Sequence, residues 1–440
     1  MANYGKSGLG LLISLWAYGM LATLTERTDL ISLFFYYSLA FVGVYLLYQS
    51  RLSFRWLLGL GLVFRLFYWG DIPVLSQDFY RFLWDGQLQM RGINPYSVPP
   101  LALEALHHLP GMGELYAGMG ALSQEHYSNY PPMSQMLYAL AAFIGGSSIL
   151  AQVNVLRVIV IAGDLLGAVG LKKLLHHFRL PKHQLTWYYL NPLLIVEGTG
   201  NLHGEGLMMG VVAWGLWLYC QKRWVWSGMT LALSVAIKLV PLLWLPLLLR
   251  QRSTKEALLL IGSGSGLSSL LWGGYLPWEA WEHYQQTLQL WFSNFEFNAS
   301  WYYLIREWGY QQTGYNIIRK LGKITPWIMV GLVVLFTLWP QRDRTARKWE
   351  LALGLLSLYY FTATTVHPWY VIHLLFLGTL TIYRYPILWS YTVILSYSAY
   401  GVSSVEEPHW LVWVEYLPVY GLLFWEWRRR SAYTAAIQKL

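Results

Sequence analysis

Asp78, Arg81 and Asp85 stand at i, i+3 and i+7 within Ser76-Gln77-Asp78-Phe79-Tyr80-Arg81-Phe82-Leu83-Trp84-Asp85-Gly86. That spacing gathers them on one face of a short helix. A carboxylate can take the proton of an attacking hydroxyl, and a guanidinium binds phosphate oxygens in pairs. Two acids and an arginine therefore suit general-base chemistry beside an anion. A salt-bridged helix at a membrane surface has the same spacing. A second polar island, Gly200-Asn201-Leu202-His203-Gly204-Glu205-Gly206, interrupts two apolar runs. Its glycines let a backbone approach a ligand closely, and His203 and Glu205 could bind a sugar hydroxyl or a metal, although the pair is too sparse for a metal site by itself; a plain turn competes with that reading. Lys238 lies inside an apolar stretch. A buried ammonium there is costly and suggests an anionic partner such as a lipid phosphate, with snorkelling to the interface as the alternative. Val366-His367-Pro368-Trp369-Tyr370 is an aromatic cluster that suits either a sugar face or an aromatic belt.

Other chemistries lack their residues. There is no Walker loop, no GxGxxG, no nucleophile elbow and no HExxH. His176, His177, His107 and His108 do not stand at metal-ligand spacings. Cys220 is the single cysteine, which excludes an intramolecular disulfide and a cysteine-rich metal site. Asp164 and Glu197, also in apolar runs, read as structural hydrogen-bond partners.

The elements that must hold these groups are set by composition. Of 440 residues, 56% are hydrophobic and only 12% charged, and the mean hydropathy is +0.36. Soluble domains carry about 25% charged residues, so a disordered chain and an ordinary soluble enzyme are both excluded. The 25 Trp and 33 Tyr suit membrane interfaces. The net charge of +9 does not indicate nucleic acid here, because the basic residues sit in short loops between apolar runs. The chain reads as an all-α, polytopic integral membrane protein of one domain, 1–440, with about 12–14 spans.

Lys and Arg in short loops mark the cytoplasmic side. Arg51 and Arg55, then Arg250, Arg252 and Lys255, then Arg342, Arg344, Arg347 and Lys348, and finally Arg428, Arg429 and Arg430 are such markers. They place the N-terminus with Lys6 inside, and the long segments 71–130 and 277–320, the turn at His367 and the segment 402–409 outside. Both long segments contain amphipathic runs suited to the interface plane, such as Trp278 to Trp291. Two regions do not count cleanly. Lys172, Lys173, Arg179 and Lys182 belong inside, yet two full spans between 131 and 171 would put them outside. The run 224–249 is either one long span or two half-helices meeting near Lys238 and Pro241. With the polar insertions on one face, an enzyme acting on a lipid-linked substrate is favoured over a secondary transporter, whose helix interruptions would be paired at midplane. A lipid-linked-substrate flippase is the alternative, and a non-catalytic assembly subunit a third reading.

The ordered motifs also resemble a family. They run Asp78-x-Tyr80-Arg81-x-x-Trp84-Asp85-Gly86, Gly92-x-Asn94-Pro95-Tyr96, Tyr130-Pro131-Pro132 with Gln135, Asn191-Pro192, the 200–205 turn, Lys238-x-x-Pro241, Phe297-Asn298-x-Ser300-x-Tyr302 and His367-Pro368-Trp369-Tyr370. Across about residues 70–375 this set resembles bacterial polyprenyl-phosphate-mannose-dependent mannosyltransferases of the GT-C superfamily. The resemblance implies a GT-C-like fold in the bacterial inner membrane, with the site facing outside. It implies a polyprenyl-phosphate sugar donor, a hexose transferred with inversion, and a lipid, glycan or protein acceptor. Asp78 would be the base and Asp85 a second acid. Arg81 and Lys238 would hold the donor phosphate. Trp84, Asn94, Tyr96, Tyr130, His203, Glu205, His367, Trp369 and Tyr370 would contact sugar or acceptor. Glu205 stands where relatives more often carry Asp, which disturbs any strict geometry there. Some relatives use a divalent metal, Mg or Mn, and others none, so metal dependence stays open.

Overall fold

The computed structural model describes residues 2–250, 252–338, 345–401 and 406–437. Arg342 and Arg344 lie outside the described residues, as do the side chains of Trp291, Arg347 and Arg430. Among the described residues the chain is helical throughout, with one isolated bridge between Phe297 and Thr365 and no strand. Four helices are individually long and apolar enough to cross a membrane: Leu30–Gln49, Ile149–His177, Thr254–Tyr275 and Ile318–Leu338. Glu205–Cys220, Trp224–Ile237 and Pro368–Thr379 are apolar but shorter. Several apolar runs are thus bent or broken. The run 184–199 divides into helix Gln184–Tyr189 and a π-helical turn Leu194–Gly200. The run 386–401 ends in a 3-10 stretch, Val393–Ala399.

Both open regions of the sequence take a definite form. Helix Pro132–Gly145 has 14 residues, about 21 Å at 1.5 Å per residue, and falls short of the roughly 30 Å hydrocarbon core. The chain turns at Gly146, whose φ of 58° suits glycine, and then runs through the 29-residue helix Ile149–His177. The first segment therefore does not span by itself. The run 224–249 is broken: helix Trp224–Ile237 stops at Lys238, which is extended at φ −149°, ψ 142°. Two 3-10 turns follow, Val240–Leu243 and Leu245–Leu249. Pro241 and Pro246 each lack the N–H that an α-helix would need.

The basic loops converge at one end. Lys6 Nζ donates to Gln49 (2.8 Å), Lys172 Nζ sits 3.7 Å from the centre of the Phe54 ring, and Phe178 meets Trp349. Lys348 Nζ donates to the carbonyl of Arg250. Helix Thr254–Tyr275 starts there behind a Ser253–Glu256 capping box. Its 22 residues, about 33 Å, carry it to the opposite end, where the Tyr275 carbonyl accepts from Asn94 at 2.6 Å. That opposite end holds the long loop 71–130. Its helix Asp78–Met90 buries Phe79, Phe82, Leu83, Trp84 and Leu88 in a core of its own with Met112, Leu115 and Tyr138. Each such side chain contributes about 1.5–3 kcal/mol when removed from water. The close approach depends on Gly86, where a Cβ would lie 2.2 Å from the Tyr138 carbonyl oxygen.

Candidate active site

A cavity of about 1210 Å³ opens where helix Asp78–Met90, the break at Lys238 and the turn 364–370 meet. Asp78 begins its helix after Gln77 and faces this cavity. Among the described residues, no side chain hydrogen-bonds its carboxylate. Burial pushes the Asp78 carboxyl above its ordinary range, and Lys238 and Arg27 pull it part of the way back. Lys238 reaches the cavity because the helix ends one residue earlier, and it pairs with the fully buried Glu205. Tyr130, His367, Trp369 and Tyr370 complete the predicted residues found in the wall.

Other predicted residues lie elsewhere. Arg81 turns away from Asp78. Its Nε donates to Asp85 at 2.7 Å, and its Nη1 donates to the carbonyls of His126 (2.9 Å) and Ser123. Asp85 is fully buried and also accepts from Ser128 (2.5 Å) and Gln135 (2.9 Å). Neither Arg81 nor Asp85 lines the cavity, so the single face expected for the three charges is in fact two. The reason is the i, i+4 geometry, which lets Arg81 satisfy Asp85 inside the loop's own core. Trp84 is buried beside His107 and Tyr116. Asn94 and Tyr96 pin the loop, Tyr96 donating to the Tyr130 carbonyl. These aromatic and amide groups are spent on holding the loop, and the sugar contacts expected of them are not at the cavity.

The polar turn 200–206 is a layer behind the wall. A Cβ at Gly206 would lie 2.0 Å from Asp164 Oδ1, and one at Gly200 2.9 Å from the Tyr68 ring. Gly200 and Gly206 thus serve protein packing. Asp164 accepts from Arg65 (2.8 Å). Glu197 accepts from Asn201 (3.0 Å) and from the Tyr397 hydroxyl (2.8 Å). His203 stacks on Trp369 at 3.5 Å, Trp369 on His367 at 4.4 Å, and His367 on Phe297 at 4.9 Å. His203 therefore supports the wall through Trp369. Burial, reinforced by Lys238 and Arg27, holds the His367 imidazole down at about 3, so it is neutral at physiological pH.

Arg27, in the short connection between the first two helices, was not singled out by sequence. Its guanidinium lies 3.4 Å over the Tyr400 ring, it lines the cavity, and its Nε is buried without a hydrogen-bond partner among the described residues. The available signal was a cation in a short loop on the face where other short loops lack them. Glu296, Arg306, Glu407 and His409 also line the cavity and come from the far part of the chain. Arg306 pairs with Glu296 at 2.5 Å, and the Tyr303 hydroxyl donates to Glu407. Below the polar end the cavity becomes apolar, between Leu239, Val240, Leu242, Leu243 and Pro246 on one side and a stripe of helix Ile318–Leu338 from Gly322 to Leu338 on the other. Among the described residues no group of three or more His, Cys, Asp or Glu side chains could hold a metal ion, and the carboxylate of Glu205 is engaged by Lys238. Among the described residues the cavity therefore presents no ready set of ligands for Mg or Mn.

Alpha-(1->6)-mannopyranosyltransferase A of Mycobacterium tuberculosis is 26% identical over 179 residues, 40% of this chain and 33% of the relative. The protein of the same name from Corynebacterium glutamicum is 24% identical over 181 residues, 40% of this chain and 34% of the relative. The matched region thus spans about a third of the length of these curated relatives. No solved structure matches. The model of the MptA/B family, described as alpha-(1->6)-mannopyranosyltransferase, N-terminal domain, matches residues 9–251, which include Arg27, Asp78, Glu205 and Lys238. That match covers more than half of the 440 residues, and the chain belongs to this mannopyranosyltransferase family.

Proposed function

We propose that this protein transfers a mannosyl residue from a polyprenyl-phosphate donor to an acceptor hydroxyl at the extracytoplasmic face of the membrane. The observation that carries the reading is the composition of one cavity. A carboxylate that accepts no side-chain hydrogen bond among the described residues, Asp78, faces the same space as two cations, Lys238 and Arg27, and that space continues into an apolar groove. Ligand pockets for drug-sized molecules hold about 300–1,000 Å³, and 1210 Å³ suits a larger amphiphile. The groove wall from Gly322 to Leu338 is about 24 Å long at helical rise, enough to shelter part of a prenyl chain. The gathering of basic loops at the opposite end supports the outward-facing assignment.

In the reaction, Asp78 takes the proton of the acceptor hydroxyl as its oxygen attacks the anomeric carbon. The bond between that carbon and the phosphate oxygen breaks, and polyprenyl phosphate leaves with the bonding electrons. Lys238 and Arg27 stabilise the charge that develops on the departing phosphate. Arg27 takes the place that the family resemblance assigned to Arg81, whose Nε and Nη1 are engaged within the loop and which does not line the cavity. His367, Trp369 and Tyr370 offer a neutral, aromatic wall to the sugar. A single displacement inverts the anomeric centre, so an α-linked product, as the relatives' names indicate for them, requires a β-linked donor. The test is transfer of labelled mannose from a polyprenyl-phosphate donor by the purified protein in lipid bilayers. The wild type should form product from the β-linked donor only. Movement of intact donor between leaflets without transfer to any acceptor would replace this reading with that of a flippase.

A further inference from the structure

Helix Trp301–Thr313 has two faces in different surroundings. On one face Tyr302, Tyr303 and Gly309 are buried, and Tyr303 and Arg306 line the cavity. On the other, Trp301, Leu304, Ile305 and Trp308 recur at i, i+3, i+4 and i+7 and are 38 to 60% exposed. An apolar stripe of this kind, on a helix about 20 Å long, lies in the plane of a membrane interface. Glu307 is an exposed acid between these residues. The chain then turns at Gly314, in the left-handed region at φ 76°, and enters the apolar helix Ile318–Leu338.

That helix begins with exposed cations. Arg319, Lys320 and Lys323 are all exposed, and Lys320 Nζ lies 5.1 Å from the centre of the Tyr315 ring. Arg319, Lys323 and Trp327 stand at i, i+4 and i+8, so two cations sit above an exposed tryptophan on one stripe. Most of the basic loops gather at the opposite end. Cations above tryptophan, beside an in-plane apolar stripe, match the layers of a leaflet: headgroup phosphate, interface, hydrocarbon.

We propose that helix Trp301–Thr313 and the first turns of Ile318–Leu338 form a docking surface for anionic phospholipid headgroups. The partner is committed by charge: Arg319, Lys320 and Lys323 outnumber Glu307, and a zwitterionic headgroup offers them no net attraction. Because Tyr303 and Arg306 lie on the opposite face of the docked helix, the leaflet also fixes the height of that cavity wall. The inference does not depend on which reaction the cavity performs.

The full chain carrying Cys220→Ser and a fluorescent dye at Gln312→Cys is reconstituted in phosphatidylcholine bilayers. These contain a trace of acyl-labelled phosphatidylglycerol or acyl-labelled phosphatidylcholine, and energy transfer from dye to lipid is compared. The expected result is a local enrichment of phosphatidylglycerol of about fivefold, the factor contributed by one near-surface cation, declining with added salt. R319Q/K320Q/K323Q should lose the enrichment, and R319K/K320R/K323R should keep it. Equal transfer from the two lipids in the wild-type background overturns the proposal, whether or not the neutralised variant folds. Enrichment retained in a folded R319Q/K320Q/K323Q protein overturns it as well.

Discussion

Asp78 and Asp85 lie on one 13-residue helix, yet the fold uses them in opposite ways. Asp85 is sealed in the loop core with Arg81, Ser128 and Gln135, and its oxygens are occupied. Asp78 meets the cavity with its carboxylate uncommitted and with Lys238 and Arg27 as its nearest charges by effect. The contrast teaches that a motif's charged residues need not act together. One acid holds the platform, and the other faces the cavity, where the proposed reaction needs a base.

The comparison is most sharply tested by Asp78→Asn. It should reduce mannosyl transfer by about 10²–10⁴-fold, the range for a lost general base, while donor binding and fold remain. Full retained transfer would remove Asp78 from the proposed role. The change should also leave the protein equally or more stable. The folded-state carboxyl is raised above its ordinary 3.8, so ionising it costs the folded state more than the unfolded one. Stability from this group therefore falls as pH rises from 3.8 through the raised value, and Asn removes that loss.

Asp85→Ala should do the reverse. It strands Arg81 in the loop core, a cost of about 3–5 kcal/mol for a broken buried pair, read as a lower unfolding midpoint in detergent. An unaltered midpoint with abolished transfer would make Asp85 a participant in the chemistry and erase the distinction. Next in size come the cations. Lys238→Ala or Arg27→Gln should weaken donor binding by about 1.5–3 kcal/mol, the worth of a hydrogen bond to a charged group. The donor KM is the readout, with acceptor KM unchanged. Arg81→Gln should instead lower stability first, and a purely kinetic donor defect there would return Arg81 to the phosphate.

The smallest expected effect is on the pH profile. A base must be ionised to act, so activity should rise with pH through the Asp78 value, above 3.8. His367, held at about 3 by burial and its cationic neighbours, should add no transition between pH 5 and 8. His367→Gln should leave the shape of the profile unchanged, and a transition near 6.5 that vanishes in this variant would show a titrating histidine in the cavity.

Sequence alone determined the membrane class, because too few charges exist to cover a soluble surface. It also determined the polar islands, because a charge inside apolar sequence is costly wherever the chain folds. Lys238 was legible for that reason, Asp78 by its spacing from Arg81 and Asp85, and the His367–Tyr370 cluster by its run of aromatic residues; the family match over 9–251 covers the ordered motifs as far as Lys238 and Pro241. Tertiary structure decided which neighbours each island meets. Periodicity places Asp78, Arg81 and Asp85 together, but only the packing of Gly86 on Tyr138 turns Asp85 inward and leaves Asp78 at the cavity. Glycines at 200 and 206 look alike in sequence whether they admit a ligand or a neighbouring side chain, and contact with Tyr68 and Asp164 settles the matter. Arg27 is separated by 211 residues from Lys238, and no local pattern joins them. Hydropathy and helical period are short-range properties of the chain, whereas a site made of two cations, an acid and an apolar groove exists only where distant segments are packed against one another.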